Sequence, residues 1–308
     1  MGMSTRQAYG EALVELGAKH GNLVVMDADL SKSTMTAKFG EAYPDRFFNM
    51  GIAEQNMYAA AAGLAASGKI VCASTFAMFA TGRAYEVVRN SIGYTGANVK
   101  ICASHGGITV GEDGASHQTF EDVALMRTIP GMTVINPADG ASARRLLVKA
   151  VELDGPVYMR FGRSAVPDVY GMGAEFEIGK GCCVRDGSDV TVIAAGIMVG
   201  KALAAADRLA GEGVSARVVD MHTIKPIDKS IIVKAASETK GIVTAEEHSV
   251  IGGLAGAVAE VVALNCPARM AFVGQQDVFG ESGKPDELLV KYGMDVDDIV
   301  RAAMGIIV

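Results

Sequence analysis

Two histidines, two acids and four glycines fall within the fifteen residues from Ser104 to Gln118. Glycine lets backbone approach a ligand closely, and histidine titrates near neutrality, so it can give or take a proton. His105 and His117 stand twelve residues apart with no third histidine or cysteine at ligand spacing. That pattern points away from zinc and toward hydroxyl and proton chemistry on a small polar substrate. A surface loop with incidental histidines is the weaker reading, given the density of such groups. A second candidate is Glu54, between the apolar Arg46-Phe47-Phe48 and a helix of small residues from Tyr58 to Ala66. A wall of methyl groups raises a carboxyl pKa and suits it to carry a proton. Taken alone, this stretch favours a plainer reading, a first-turn acid meeting a helix dipole. Phe76 and Phe79 lie one helical turn apart after Ser74-Thr75. Such pairs are usually core, but a flat heteroaromatic ring could stack there. Arg6, Lys32, Ser33 and Arg163 come from separate places, and arginine forks suit phosphate oxygens, although each alone reads as a surface charge.

The elements that position these residues alternate. A helix is predicted over Thr5–Lys19, N-capped by Ser4 and stopped by Gly21, then a strand over Leu23–Met26 and a polar loop, Asp27 to Ser33. Strands follow at 69–75, 98–104, 132–136 and 157–161, with helices at 76–94 and 138–153. From Gly162 to Asp189 the periodicity lapses, which predicts a linker with a short hairpin or edge strand. Strands then resume at 190–195, 216–219, 241–245 and 269–273, with helices at 199–210, 229–237, 253–264, 285–292 and 296–304. The expectation is two α/β domains with parallel or mostly parallel sheets: a first domain over 1–165, a linker over 166–188 and a smaller domain over 189–308.

The chain has 308 residues and a net charge of −7, from 28 basic and 35 acidic side chains. That balance argues against nucleic acid or an anionic membrane as partner, and no apolar run reaches membrane-span length. Five cysteines without a C-x-x-C, mostly in apolar runs, predict buried reduced thiols and a cytoplasmic protein. Gly196 to Ala202 imitates a P-loop but is one residue short and has Ala202 where Ser or Thr would hold magnesium. It is read as a tight strand-to-helix turn. Glu246-Glu247-His248 is read as a strand-end cluster supporting a subunit contact.

Together these motifs resemble a family. Gly51-Ile52-Ala53-Glu54 is similar to the G-[IV]-x-E core of the pyrimidine-binding domain of thiamine diphosphate enzymes, and Ser74 to Phe79 to that domain's aromatic segment. Gly111 to Gln118 resembles the G-E-D-G-P-T-H-Q signature of transketolases, with Ala115-Ser116 replacing Pro-Thr. Met221 to Pro226 is similar to a run in the family's third domain. The resemblance implies roles. Glu54 would hydrogen-bond the pyrimidine nitrogen and favour the imino form that takes the thiazolium proton. Phe79 would stack on the pyrimidine with Phe76 beside it, and Asp29 would lie next to the cofactor. His105 and His117 would contact substrate hydroxyls and assist proton transfer, and Asp113 would read a sugar hydroxyl. Arg6, Ser33 and Arg163 would bind the sugar phosphate. Tyr85 does not align with the family's next aromatic and is left outside the site.

The family's G-D-G motif, which holds magnesium (or calcium) and the diphosphate, is absent from the sequence. The chain therefore resembles the C-terminal subunit of a split transketolase. The resemblance implies a separate N-terminal subunit holding the metal and diphosphate, an α2β2 assembly with the small-residue helix near its seam, no metal ligands in this chain, and ketol transfer between sugar phosphates in the pentose phosphate pathway. The alternatives are a 1-deoxyxylulose-5-phosphate synthase, whose loop carries G-A-D-G where this chain has Glu112, a 2-oxo acid dehydrogenase β subunit, and a non-catalytic partner that kept the fold.

Overall fold

The computed structural model describes residues 2–171 and 173–308; Met1 of the expected first domain and Met172 of the expected linker lie outside the described residues. Helix α1 (Thr5–Lys19) starts where the sequence predicts. The Ser4 side chain accepts from the Gln7 N–H and the Gln7 side chain reaches back to Ser4, a capping box. Strand β1 (Leu23–Asp27) follows, fully buried. The loop after it contains two short helices that sequence reading missed, α2 (Ser31–Thr34) and α3 (Ala37–Ala42). Then come β2 (Phe47–Asn49), α4 (Glu54–Ala66) and β3 (Ile70–Phe76). The helix expected over 76–94 begins later and winds unusually wide. Phe79–Arg83 and Val88–Gly93 form π turns around α5 (Tyr85–Val87). Such turns accommodate an extra residue and recur at functional sites. The half ends with β4 (Val99–Ser104), the unexpected α6 (Asp122–Thr128), β5 (Thr133–Ile135), α7 (Gly140–Glu152) and β6 (Val157–Arg160).

Residues 166–181 form no helix or strand among those described. An edge strand, β7 (Cys182–Arg185), follows, then β8 (Val190–Ala194), α8 (Met198–Gly211), β9 (Ala216–Asp220), β10 (Thr223–Lys225) and α9 (Lys229–Glu238). The chain closes with β11 (Gly241–Ser249), α10 (Leu254–Asn265), β12 (Arg269–Gln275), α11 (Pro285–Lys291) and α12 (Val296–Ile307). No helix is long and apolar enough to cross a membrane among the described residues.

The strands form two sheets, β10-β5-β6-β4-β3-β1-β2 and β12-β11-β8-β9-β7. Pairing is parallel except at two edges, where β10 runs against β5 and β7 against β9. The architecture is thus two α/β domains with mostly parallel sheets. Helices cover both faces of the first sheet, which is why its central strands read as mostly apolar runs; the exception, Lys100 on β4, is buried and donates to the Leu153 and Gly155 carbonyls. Among the five cysteines only Cys72 and Cys102, on β3 and β4, are fully buried; Cys183 is exposed. Alternation along an edge strand turns that thiol outward, and Cys182 and Cys266 are only half-buried, short of the expectation of mostly buried thiols.

Several contacts lock the halves together, and two of them are central. The first is β10, which leaves the second half to extend the first sheet, with Asn136 N–H donating to the His222 carbonyl at 2.8 Å. The second is the guanidinium of Arg160 at the end of β6. It donates to Asp122 Oδ2 at 2.7 Å and to the Glu247 carbonyl at 2.9 Å. Both charges are buried. Burial would raise the Asp122 carboxyl, but Arg160, His248 and Tyr158 together hold it below its ordinary value. Its stabilising contribution is therefore present above the usual carboxylate range and is lost as pH falls through its lowered pKa. Removing one partner strands a buried charge, so Arg160→Met is expected to cost about 3–5 kcal/mol in urea-induced unfolding. A loss under about 1 kcal/mol would show that the clamp is not structural.

Candidate functional site

The carboxyl ends of β1, β2, β3 and β4 open on one edge of the first sheet. The strand order reverses at β1, with β2 on one side and β3 on the other, and ligands bind in the crevice at such a reversal. Glu54 is the first residue of α4. Gly51, at φ +71°, makes the turn before it, in a region that favours glycine. Asn49 ties this corner to the loop after β1. Its side-chain oxygen accepts from the N–H of Asp29 at 3.1 Å and of Gly51 at 3.0 Å, while its amide donates to Asp29 Oδ1 at 3.1 Å. Asp29 itself is exposed.

Glu54 is 1 % exposed. Its two carboxylate oxygens lie 3.0 and 2.9 Å from Nη1 of Arg83, and the Arg83 guanidinium carbon sits 4.6 Å from the centroid of the Phe79 ring. On the helix side only Met57, Tyr58 and Ala61 are buried with Glu54, and Ala59, Gly63 and Ala66 face outward. The sequence reading did not foresee a cation opposite Glu54, and the carboxylate is ion-paired rather than alone. Phe79 stacks with Phe76 at 6.0 Å between centroids, and Phe76 stacks with His105 at 3.9 Å. His117 meets Phe79 edge-on at 5.4 Å. Glu54, Arg83, the phenylalanines and both histidines therefore form one connected wall.

His105 has φ +60° and Ser104 Oγ 2.8 Å from its Nδ1. Burial, then the charges of Arg6, Arg163 and His117, push its pKa down to about 3. His105 is therefore a neutral hydrogen-bonding group at physiological pH, not the near-neutral proton carrier its residue type suggests. His117 is half-buried, with Ser116 Oγ 2.9 Å from its Nδ1.

Arg6 gathers the remaining residues. It donates to the Ser33 carbonyl at 2.7 Å and to the Arg163 carbonyl at 3.2 Å. Burial and then Arg163 lower its pKa, the signature of two cations sharing a site that an anion would relieve. Ser33 meets Arg6 through its carbonyl. Arg163 is turned toward Glu112, at 2.8 Å from Oε2, and also donates to the Val110 carbonyl. Asp113 is exposed at the loop tip, and Lys32 is exposed too. Asp27 escaped the sequence reading. It is fully buried and accepts from Leu30 N–H at 2.6 Å, Thr34 Oγ1 at 2.7 Å and Thr36 Oγ1 at 2.8 Å. These bonds shape the loop that presents Ser33. Its place as the last residue of a buried strand, followed by Thr34 and Thr36, was the available signal.

The second half supports the histidine loop. Glu247 Oε1 accepts from the Thr109 N–H at 2.7 Å, and Gly107, at φ +87°, lies so close that a Cβ there would fall 2.3 Å from the Glu247 carboxyl carbon. Glu246 accepts from the Leu254 and Ala255 N–H groups at 2.7 and 2.8 Å and so caps α10. His248 Nδ1 lies 2.7 Å from the Ser249 carbonyl. All three are buried within the single chain, so the cluster joins the two halves of one chain, not two subunits. The P-loop imitation is also resolved: Lys201 pairs with Asp295 at 2.6 Å. Tyr85 donates or accepts at Thr128 Oγ1, 2.9 Å away. Among the described residues no group of three or more His, Cys, Asp or Glu could hold a metal ion.

Residues 1–169 match the family described as transketolase, pyrimidine binding domain, and residues 179–299 match transketolase, C-terminal domain. The chain belongs to the transketolase family. It is 53 % identical over 302 residues to a putative transketolase C-terminal section of Methanocaldococcus jannaschii, covering 97 % of this chain and 95 % of the relative. It is 43 % identical to a 6-deoxy-6-sulfo-D-fructose transketolase subunit of a Clostridium species, covering 97 % and 92 %. A solved structure described as a split gene transketolase, inactive β4 tetramer, superposes with a TM-score of 0.94 at 55 % identity over 99 % of both chains.

Transketolases depend on thiamine diphosphate, and the wall at Glu54 fits that cofactor's aminopyrimidine. The slot between the Phe79 face and the Glu54 carboxylate already holds a flat nitrogen-rich group, the Arg83 guanidinium, stacked on one and bonded to the other. The electrostatics of the second half of the wall are directly measurable. Because the His105 pKa is lowered to about 3, the unfolded chain binds a proton that the native chain refuses, and stability falls as pH drops from about 6.5 toward 3. The His105 ring resonances in an NMR titration are expected to stay those of neutral imidazole from pH 8 to about 5. A midpoint near the ordinary histidine value would contradict the burial and charge argument.

Proposed function

We propose that this chain is the C-terminal, pyrimidine-binding subunit of a two-chain transketolase. It transfers a two-carbon ketol unit from a ketose phosphate such as xylulose 5-phosphate to an aldose phosphate such as ribose 5-phosphate. A separate N-terminal subunit supplies the diphosphate site and its magnesium or calcium. The observation that carries this reading is the Phe79–Glu54 slot, a buried carboxylate and an aromatic face that a single planar group can engage at once, as the Arg83 guanidinium does.

In this reading bound thiamine diphosphate supplies a carbon nucleophile that accepts and releases the ketol unit. Glu54 holds or shares a proton at the pyrimidine nitrogen, and its burial excludes water from that bond. Phe79, with Phe76 behind it, fixes the ring plane. His105, neutral, orients substrate hydroxyls, and the half-buried His117 is placed to move protons. Asp113, at the loop tip, reads a sugar hydroxyl, and Asp29 lies beside the cofactor. Arg6 and Arg163, with the Ser33 segment, take the terminal anion of the sugar. That anion is phosphate in the principal reading; the sulfosugar named for one relative carries a sulfonate, which the same two guanidinium groups would suit.

The surface around Glu54 supports an assembly. Ile52 is 77 % and Phe48 44 % exposed, and Ala59, Gly63 and Ala66 open one side of α4. A partner covering that face would complete the slot, in an α2β2 arrangement with α4 at its seam. The relatives described as a C-terminal section and as a split-gene protein inactive as a β4 tetramer support the need for a second chain.

The test is reconstitution with the N-terminal subunit. Xylulose 5-phosphate and ribose 5-phosphate are expected to yield sedoheptulose 7-phosphate, and Glu54→Gln to lower kcat by about 10²-fold or more. Arg6→Ala is expected to raise KM for the sugar phosphate with a smaller effect on kcat. Pyruvate consumption in place of ketol transfer, or undiminished turnover by Glu54→Gln, would overturn the reading.

A further inference from the structure

Arg83 has no role in the function proposed above, yet it makes the most direct contact with its central residue. It reaches Glu54 because the π turn over Phe79–Arg83 carries its backbone to the mouth of the slot, where the Gln55 side-chain amide donates to the Arg83 carbonyl at 3.1 Å. The guanidinium then satisfies two demands at once. It lies over the face of Phe79, 4.6 Å from the centroid, and bridges both oxygens of Glu54 at 3.0 and 2.9 Å. A planar group lying over this ring and hydrogen-bonded to this carboxylate is what an aminopyrimidine would be. The two cannot occupy the slot together.

We propose that Arg83 is a stand-in for the cofactor ring: it closes the Phe79–Glu54 slot while the chain is unloaded and must swing out for the ring to enter. The inference rests on the transketolase reading and adds a gate to it. Arg83 is suited to leave, because its side chain is 48 % exposed whereas that of Glu54 is 1 % exposed. The arginine can pass into water; the carboxylate cannot.

The exchange has a proton balance. Paired with a guanidinium, Glu54 is an anion. Facing the acceptor nitrogen of a neutral pyrimidine, it must present a proton. Opening therefore takes one proton from solvent onto Glu54, and Arg83 keeps its own charge throughout. The titratable groups nearby are His117, edge-on to the Phe79 ring, and Tyr58 with Asp27 behind it. Tyr58, directly beneath, is fully buried with no hydrogen-bond partner for its hydroxyl among the described residues, and burial, then Cys102, Glu54 and Asp27, hold its phenol well above the ordinary value, so it stays neutral. Asp27 retains its three hydrogen bonds.

The experiment is calorimetric titration of thiamine diphosphate with magnesium into the two-chain complex, in two buffers of different ionisation enthalpy. Wild type, Arg83→Ala and Arg83→Lys are compared. Removing the stand-in removes the fraction of closed chain, so Arg83→Ala is expected to bind on the order of tenfold more tightly. Its proton uptake is expected to differ from that of wild type, since the guanidinium that pairs with Glu54 in the closed chain is gone. Arg83→Lys keeps a charge without the plane and is expected to fall between. Equal affinity and equal proton uptake in wild type and Arg83→Ala, or weaker binding by Arg83→Ala, would overturn the gate. Failure of all three proteins to bind would instead overturn the functional reading.

Discussion

A carboxylate removed from water must be paired, and Glu54 is the carboxylate around which this chain is arranged. Leaving it alone in the wall would cost several kcal/mol. The turn at Gly51, the bonds of Asn49 and the first turn of α4 bring it to the crevice where the strand order reverses. The wide-turned segment after β3 then delivers both the aromatic face and the cation that complete its surroundings. In the proposed reading, the same demand for a partner would give an incoming ring its hydrogen bond.

The second half of the chain acts on this wall at a distance. Arg160 joins Asp122 to the Glu247 backbone, and the Glu247 side chain holds the loop at Thr109 beneath Gly107. That loop carries His105 and His117. Its rigidity keeps His105 stacked on Phe76 and away from solvent, within reach of two arginine charges, so it stays uncharged. A pair of histidines close in sequence thereby acquires two characters, one buried and neutral, the other half-buried.

Much of this was legible in the residues, because local signals agreed with the fold. Ser4 as an N-cap announced α1, and mostly apolar runs announced the strands covered on both faces. The acid at the strand-to-helix corner, the phenylalanine pair and the glycine-histidine loop pointed to one edge of one sheet, and the structure brings them to one wall. What was not legible depends on contacts distant in sequence. Strand β10 is too short for a periodicity and exists because β5 offers an open edge. Helix α6 is anchored by Asp122, whose partner Arg160 lies 38 residues later. Arg83 was hidden by the π turns, which shift its side chain off the helical register that spacing arguments assume. The near-neutral pKa expected of His105 failed because burial, which a residue type does not reveal, outweighs its intrinsic value.

The account stands on the claim that Glu54 is the residue that meets the cofactor's ring. A crystal structure of this chain with its N-terminal subunit, thiamine diphosphate and magnesium tests it most directly. The account predicts the pyrimidine stacked on Phe79, with a ring nitrogen within about 2.6–3.2 Å of the Glu54 carboxyl and the Arg83 guanidinium displaced toward solvent. A ring bound elsewhere, or one bound while the Arg83–Glu54 pair stays closed, would contradict it.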